Sequence, residues 1–205
     1  MNEIFNFKLM SLALVLPLSA FAQGISPNSQ TSLLGFFAAK EFNKEIALRL
    51  TKSHLVKNVI EPSKSITKFD VYPLAASNSG EITSVAYRCR EANKEGLVLC
   101  FFNDSWNNAG VIYSGYAFKN LALPKAQELL NEIETAINKE NIYISKDNDN
   151  NNICFAYEDM VLIIYKIPAG IVIRIFWNGF DSEWNYSAFM KTQKSLAKKL
   201  SNNEK

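Results

Sequence analysis

The spacing of apolar residues changes character several times along this chain. From Ser32 to about Ile60, Phe42, Ile46 and Leu50 recur every four residues, as do Leu55 and Val59, which marks one face of a helix or of two. Glu61-Pro62-Ser63 ends that stretch, because proline disfavours helical backbone in the residue before it. Four short runs rich in β-branched and aromatic residues follow: Ile66–Ala75, Glu81–Arg90, Leu97–Asn103 and Val111–Phe118. Asn-Ser-Gly, Asn-Lys-Glu-Gly and Asn-Asn-Ala-Gly separate them, so the segment predicts an antiparallel meander. Pro124 then opens a helix in the first-turn position that proline tolerates, and Ala126, Leu129, Leu130, Ile133, Ala136 and Ile137 form its apolar stripe. Three more strands are predicted at Ile153–Glu158, Met160–Ile167 and Ile171–Trp177, the last two joined by Pro168-Ala169-Gly170. Asp181 or Ser182 would cap a final helix reaching about Leu200, with Phe189, Leu196 and Leu200 buried and lysines elsewhere.

These elements predict an α+β fold: a predominantly antiparallel sheet of about six or seven strands with helices packed on one face. Local echoes link the halves. Ala86-Tyr87 matches Ala156-Tyr157, Leu97-Val98-Leu99 matches Val161-Leu162-Ile163, and Ala109-Gly110-Val111-Ile112 matches Ala169-Gly170-Ile171-Val172. They are compatible with two successive βββα units, residues 81–139 and 153–200, behind the N-terminal helical segment.

Residues 1–22 read as a signal peptide. A short polar lead with one lysine precedes an apolar run from Leu9 to Phe21, and Ala20-Phe21-Ala22 supplies the small-x-small cleavage pattern before Gln23. The run is shorter than the roughly 20 residues that cross a bilayer. The expectation is therefore an exported, soluble protein, periplasmic or secreted, with no integral membrane segment after processing. A polar leader, 23–31, would precede a single domain over 32–205. Net charge is only +2, and no basic stripe appears, which argues against a nucleic-acid partner.

Three cysteines leave at least one without a partner in the chain. Asn93-Lys94-Glu95-Gly96 reads as a type I turn with Gly96 left-handed, which sets Cys89 opposite Phe101 and Arg90 opposite Cys100. That register sends the two sulfurs to opposite faces, and a slip by one residue would bring them together. Buried free thiols are the expectation.

Candidate chemistry is sparse. Asp147, Asp149, Asn151 and Glu158 fit alternating ligand positions of a calcium loop, but asparagine replaces the usual glycine at Asn152 and a β-rich segment follows. A plain polar turn is the simpler expectation, with no cofactor; a calcium-stabilised module is the alternative. Trp106, Tyr113, Tyr116, Trp177, Phe180, Trp184 and Tyr186 sit near asparagines and aspartates, as in a platform for a protein or glycan partner of the cell envelope. Equally, those rings can close the core. Arg174 interrupts an otherwise apolar strand, on which Val172, Arg174 and Phe176 share one face. This predicts either an open amphipathic sheet face or a guanidinium buried against a carboxylate. His54 is the only histidine, so no triad or multi-histidine metal site can be built on a second one. The leading expectation is a non-catalytic binding module whose ligand surface includes Trp106, Tyr113, Tyr116, Arg174, Phe180 and Trp184. A carboxylate-type glycan or cell-wall hydrolase using pairs among Asp104, Asp181 and Glu183 is the enzymatic alternative.

Overall fold

A computed structural model describes residues 44–62, 64–106 and 112–201. The expected signal peptide, 1–22, and leader, 23–31, lie outside the described residues. Helix α1 spans residues 44–60, its last turn widening into a π-turn at Val56–Ile60. Glu61, at a left-handed φ of 52°, ends it just before Pro62.

Strands β1 (Asp70–Ala76), β2 (Ile82–Cys89), β3 (Lys94–Trp106) and β4 (Ile112–Ala122) form one antiparallel meander. Helices α2 (Leu123–Lys139) and α3 (Asn141–Lys146) follow. Strands β5 (Ile153–Tyr157), β6 (Met160–Ile167), β7 (Gly170–Trp177) and β8 (Phe180–Asn185) form a second meander, and α4 (Tyr186–Ser201) closes the described chain. The class is α+β and antiparallel, as expected. The expected single sheet of six or seven strands is not what forms: there are two four-stranded sheets, which meet through one bridge, Ser105 with Phe180.

Each sheet and the helix after it make a ββββα unit, one strand more than expected. The sequence echoes therefore join strands that are not equivalent, since Ala86-Tyr87 lies on the second strand of its sheet and Ala156-Tyr157 on the first of the other. The unforeseen strand in the second unit is β8. Asn178 and Gly179 both take left-handed backbone, φ 50° and 79°, as a tight two-residue hairpin turn requires. After it, Phe180, Ser182 and Trp184 point inward and are at most 3% exposed, alternating with Asp181, Glu183 and Asn185. That period of two is a strand, so α4 starts at Tyr186 and neither Asp181 nor Ser182 caps it.

One continuous apolar core underlies both sheets. Leu97, Leu99 and Phe101 of β3, Leu129 and Ile133 of α2, Ile173 and Ile175 of β7, and Phe189 and Leu196 of α4 belong to it. A second cluster occupies the other face of the first sheet, where Leu55, Val59 and Ile60 of α1 meet Tyr87, Cys89 and Val98. Helices therefore cover both faces of the first sheet, not one. A buried hydroxyl pair, Ser84 Oγ and Thr192 Oγ1 at 2.6 Å, ties α4 to β2. One hydroxyl donates to the other, and the accepting hydroxyl gives its own proton to a backbone carbonyl, that of Ala75 from Ser84 or of Ala188 from Thr192. These two buried hydroxyls are tolerated because each has a partner.

The β2–β3 hairpin differs from its expected register. The loop is Arg90–Asn93, with Asn93 rather than Gly96 left-handed at φ 50°. Cys89 faces Lys94 and Cys100 faces Thr83, so the sulfurs share a face but lie six residues apart along β3, about 20 Å. No disulfide spans that distance, and both thiols are free and buried. Gly96 serves a different need: a Cβ there would stand 2.1 Å from the Leu121 carbonyl oxygen of β4.

Trp184 is fully buried and packs edge-on to Phe189 at 5.5 Å. Trp184→Ala is expected to cost about 3–5 kcal/mol in urea unfolding, the usual loss for removing a large core ring. A shift below about 1 kcal/mol would contradict its place in the core.

Candidate binding surface

Alternation in the second sheet sends one set of side chains into the core and leaves the other set outside. The outer set is Cys154 and Ala156 on β5, Val161, Ile163 and Tyr165 on β6, Val172, Arg174 and Phe176 on β7, and Asp181, Glu183 and Asn185 on β8. Pairing aligns them in rows: Cys154, Ile163, Arg174 and Glu183 in one, Ala156, Val161, Phe176 and Asp181 in the next. Val161 is 47% exposed and Ile163 and Phe176 are half-buried outside the core clusters, whereas Val172 is buried at 4%. On the first sheet the corresponding face is filled by α1. In the second unit, the helix that precedes the sheet is only the six-residue α3, which leans on the end of β6 through Lys166 Nζ and Ser145 Oγ at 3.1 Å. The open amphipathic face expected from Val172, Arg174 and Phe176 forms only in part: Arg174 and Phe176 are part-exposed and no described helix lies over them, but Val172 is buried.

Arg174 is both part-exposed and paired. Its Nε donates to Asp181 Oδ1 at 2.8 Å and its Nη2 reaches Asp181 Oδ2 at 2.7 Å, a two-pronged contact across β7 and β8. Nearby, Glu81 Oε2 accepts the Glu183 backbone N–H at 2.6 Å. Together with Asn78 N–H donating to Asn185 Oδ1 and Asn103 Nδ2 donating to the Asp181 carbonyl, it stitches β8 to the first sheet. Burial raises the Glu81 pKa, opposed by the Glu183 N–H and reinforced by the Glu183 carboxylate. A raised carboxylate pKa means that the folded state holds this proton more tightly than the unfolded chain does. Stability from this group is therefore lost as pH rises from the ordinary glutamate range through the higher folded-state value.

The described rings of the expected aromatic platform do not share one surface. Phe180 and Trp184 are core residues, 3% and 0% exposed. Tyr116 stacks on Phe102 at 4.5 Å, toward the face of the first sheet that α1 covers. Trp106 and Tyr113 fall on β3 and β4, but their side chains lie outside the described residues. Trp177 packs on Phe101 at 5.2 Å and donates its Nε1–H to Asp159 Oδ2 at 2.8 Å. Among the described rings, β8, read as a loop from sequence, turns Phe180 and Trp184 inward and so away from Tyr116 and Trp177.

Two of the three carboxylates of the hydrolase alternative are engaged with neighbours, Asp181 with Arg174 and Asp104 with the Ser114 hydroxyl. The calcium-loop spacing is also broken up by the fold. Asn150 Nδ2 donates to Asp147 Oδ1, Asn151 Nδ2 to the Tyr143 carbonyl, and Asn152 Nδ2 to the Asp149 and Asn150 carbonyls. Asp149 itself takes the left-handed turn position, at φ 67°. Glu158 lies beyond the whole of β5, about 17 Å along the strand, where it pairs with Lys119 at 3.1 Å. Asp147, Asp149 and Asn151 thus form a self-bonded turn that Glu158 does not reach. His54 stacks on Phe118 at 5.0 Å, a packing role.

A groove of about 1000 Å³ between α2 and β5 had no sequence signal. Ala136, Ile153 and Phe155 supply apolar walls, Lys125, Glu128, Glu132, Lys139 and Glu140 a charged rim, and Cys154 sits at its lip. Glu128 is held below the usual carboxylate range by hydrogen bonds from Lys125 and Tyr157. Nothing local in the sequence could reveal this groove, because it exists only where the last strand of a sheet runs beside a helix from the other unit.

Among family models, curated proteins and solved structures, none matches this chain.

Two predictions follow from these environments. Cys154 is exposed, whereas Cys89 and Cys100 are buried and burial pushes the Cys100 thiol up to about 12. One thiol per chain should react promptly with a disulfide reagent in the native protein, and the others only on unfolding; prompt reaction of all of them would contradict the packing under α1. Glu81→Gln should flatten the acid-to-neutral stability profile, gaining stability at neutral pH relative to wild type. An unchanged slope in melts across that range would count against the burial of Glu81.

Proposed function

We propose that this is an exported protein, periplasmic or secreted, that acts by binding a protein or glycan partner of the cell envelope rather than by catalysis. The observation that carries the binding part is the outer face of the second sheet. Val161, Ile163 and Phe176, exposed or half-buried, form an apolar field on a face whose counterpart in the first sheet is filled by α1. Apolar area at the centre with polar groups at the margin is the usual anatomy of a recognition surface, and the Arg174–Asp181 pair gives this field a fixed polar border. Export rests on residues 1–22 alone.

Two measurements test the two parts separately. Mass spectrometry of the protein from its host should find the chain beginning at Gln23; an intact Met1–Ala22 segment on protein retained in the cytoplasm would defeat export. Val161→Lys with Phe176→Ala should abolish capture of envelope components that wild type retains, with the melting temperature within a few degrees of wild type. Undiminished capture by that variant would remove the outer face as the site.

A further inference from the structure

We propose that β5 is the contact through which two copies of this chain join, edge to edge and antiparallel, into one sheet across a twofold axis. Among the described strands, β5 is the last of its sheet and pairs with β6 alone. Tyr157 and Met160 flank a two-residue turn, so they are a hydrogen-bonded pair. Because such pairs alternate in an antiparallel ladder, Cys154 and Ala156 are the residues whose backbone N–H and C=O point away from β6, and both are exposed. Exposed edges are commonly protected by lysine, proline or a bulge. The sequence here, Ile153-Cys154-Phe155-Ala156-Tyr157, has none of these and no charge.

The occupant that fits is a second copy. Cys154 and Ala156 flank Phe155 symmetrically, so a twofold axis at Phe155 sets Cys154 opposite Ala156 of the other copy, and each such pair exchanges both of its hydrogen bonds. Phe155, which lines the groove, would then meet its own counterpart, and Ile153 would face Tyr157 of the other copy, both entering the groove from that copy. The charged rim agrees with the same axis. Helix α2 runs antiparallel to β5: its start holds Tyr157, whose hydroxyl donates to the Lys125 carbonyl and to Glu128 Oε2, and its end carries Lys139 and Glu140 to the other end of the groove. Two such helices related by the axis bring Glu128 toward Lys139 of the other copy and Lys125 toward Glu140, opposite signs in each case. A partner with a different sequence has no such built-in match. This inference is independent of the outer-face proposal, because it uses backbone groups at the edge rather than the side chains of Val161 and Phe176.

Analytical ultracentrifugation of the purified protein should show a dimer. Ala156→Pro removes an outward N–H that the fold does not use, a substitution an edge strand tolerates; it should weaken dimerisation at least about tenfold at an unchanged melting temperature. Ala156→Cys in the chain that keeps Cys154 should give a covalent dimer on mild oxidation, since the opposed Cα atoms of a hydrogen-bonded pair stand about 5.5 Å apart, within disulfide reach. Adding Cys154→Ser should abolish it. A monomeric wild type at about 100 μM, or an Ala156→Pro variant that folds and dimerises as tightly as wild type, would overturn the proposal. Should Ala156→Pro not fold, the oxidation experiment decides, and absence of the covalent dimer overturns the proposal. Val161→Lys with Phe176→Ala should leave the dimer intact, which separates this result from the fate of the outer-face surface.

Discussion

The structure depends on the burial of one apolar core shared by two sheets that scarcely hydrogen-bond to each other. A single bridge, Ser105 with Phe180, joins them through the backbone. Hydrogen bonds exchange solvent partners for protein partners at modest net gain, whereas apolar burial contributes in proportion to the area removed from water. The sheets must therefore be held by what they bury together. Helix α4 does most of this, packing on β7 and β8 of its own unit and on β1 and β2 of the other. Phe189 reaches Trp184, and Thr192 reaches Ser84. Side chains complete the seam where strand pairing stops, with the Glu81 carboxylate accepting the N–H of Glu183 and the Asn185 side chain accepting that of Asn78.

That arrangement also decides what remains for partners. The first sheet spends both faces on packing, one under α1 and the other in the shared core. The second sheet spends only one. Its outer face and its β5 edge are two surfaces on which described elements leave apolar side chains exposed or present a strand edge. An uncovered sheet face suits partners that bring side chains, while an uncovered edge suits another strand. The two surfaces adjoin along β5, so a chain paired at the edge would extend the outer face without covering it.

The legible parts of the sequence were those with strong local periodicity. The stripe from Ala126 to Ile137 and the proline at its head gave α2 nearly to its ends, because a helix buries a face whose spacing is written in consecutive residues. Met160–Ile167 and Ile171–Trp177 were equally plain, and alternation alone put Val172, Arg174 and Phe176 on one face, although Val172 is buried there. Strand β8 was missed although Asn178-Gly179 is a strong hairpin signal and Phe180-Asp181-Ser182-Glu183-Trp184-Asn185 alternates strictly. The polar half of that alternation resembles loop and cap chemistry when read without its buried half. The Cys89–Cys100 geometry failed for a related reason. Gly96 was assigned to the turn, whereas the close approach of β4 requires it, and that approach comes from a strand some 25 residues further on.

Sequence alone therefore determined the α+β class, the antiparallel pairing of neighbouring strands and the amphipathic helices, since each is set by contacts between residues close along the chain. The tertiary structure alone decided that the strands divide into two sheets, that Phe180 and Trp184 go inside while Val161 and Phe176 stay out, and that β5 ends its sheet beside α2. Those outcomes depend on which distant elements meet. The interactions that select among them are non-directional burial and a handful of long-range hydrogen bonds, which leave no periodic trace in the order of residues.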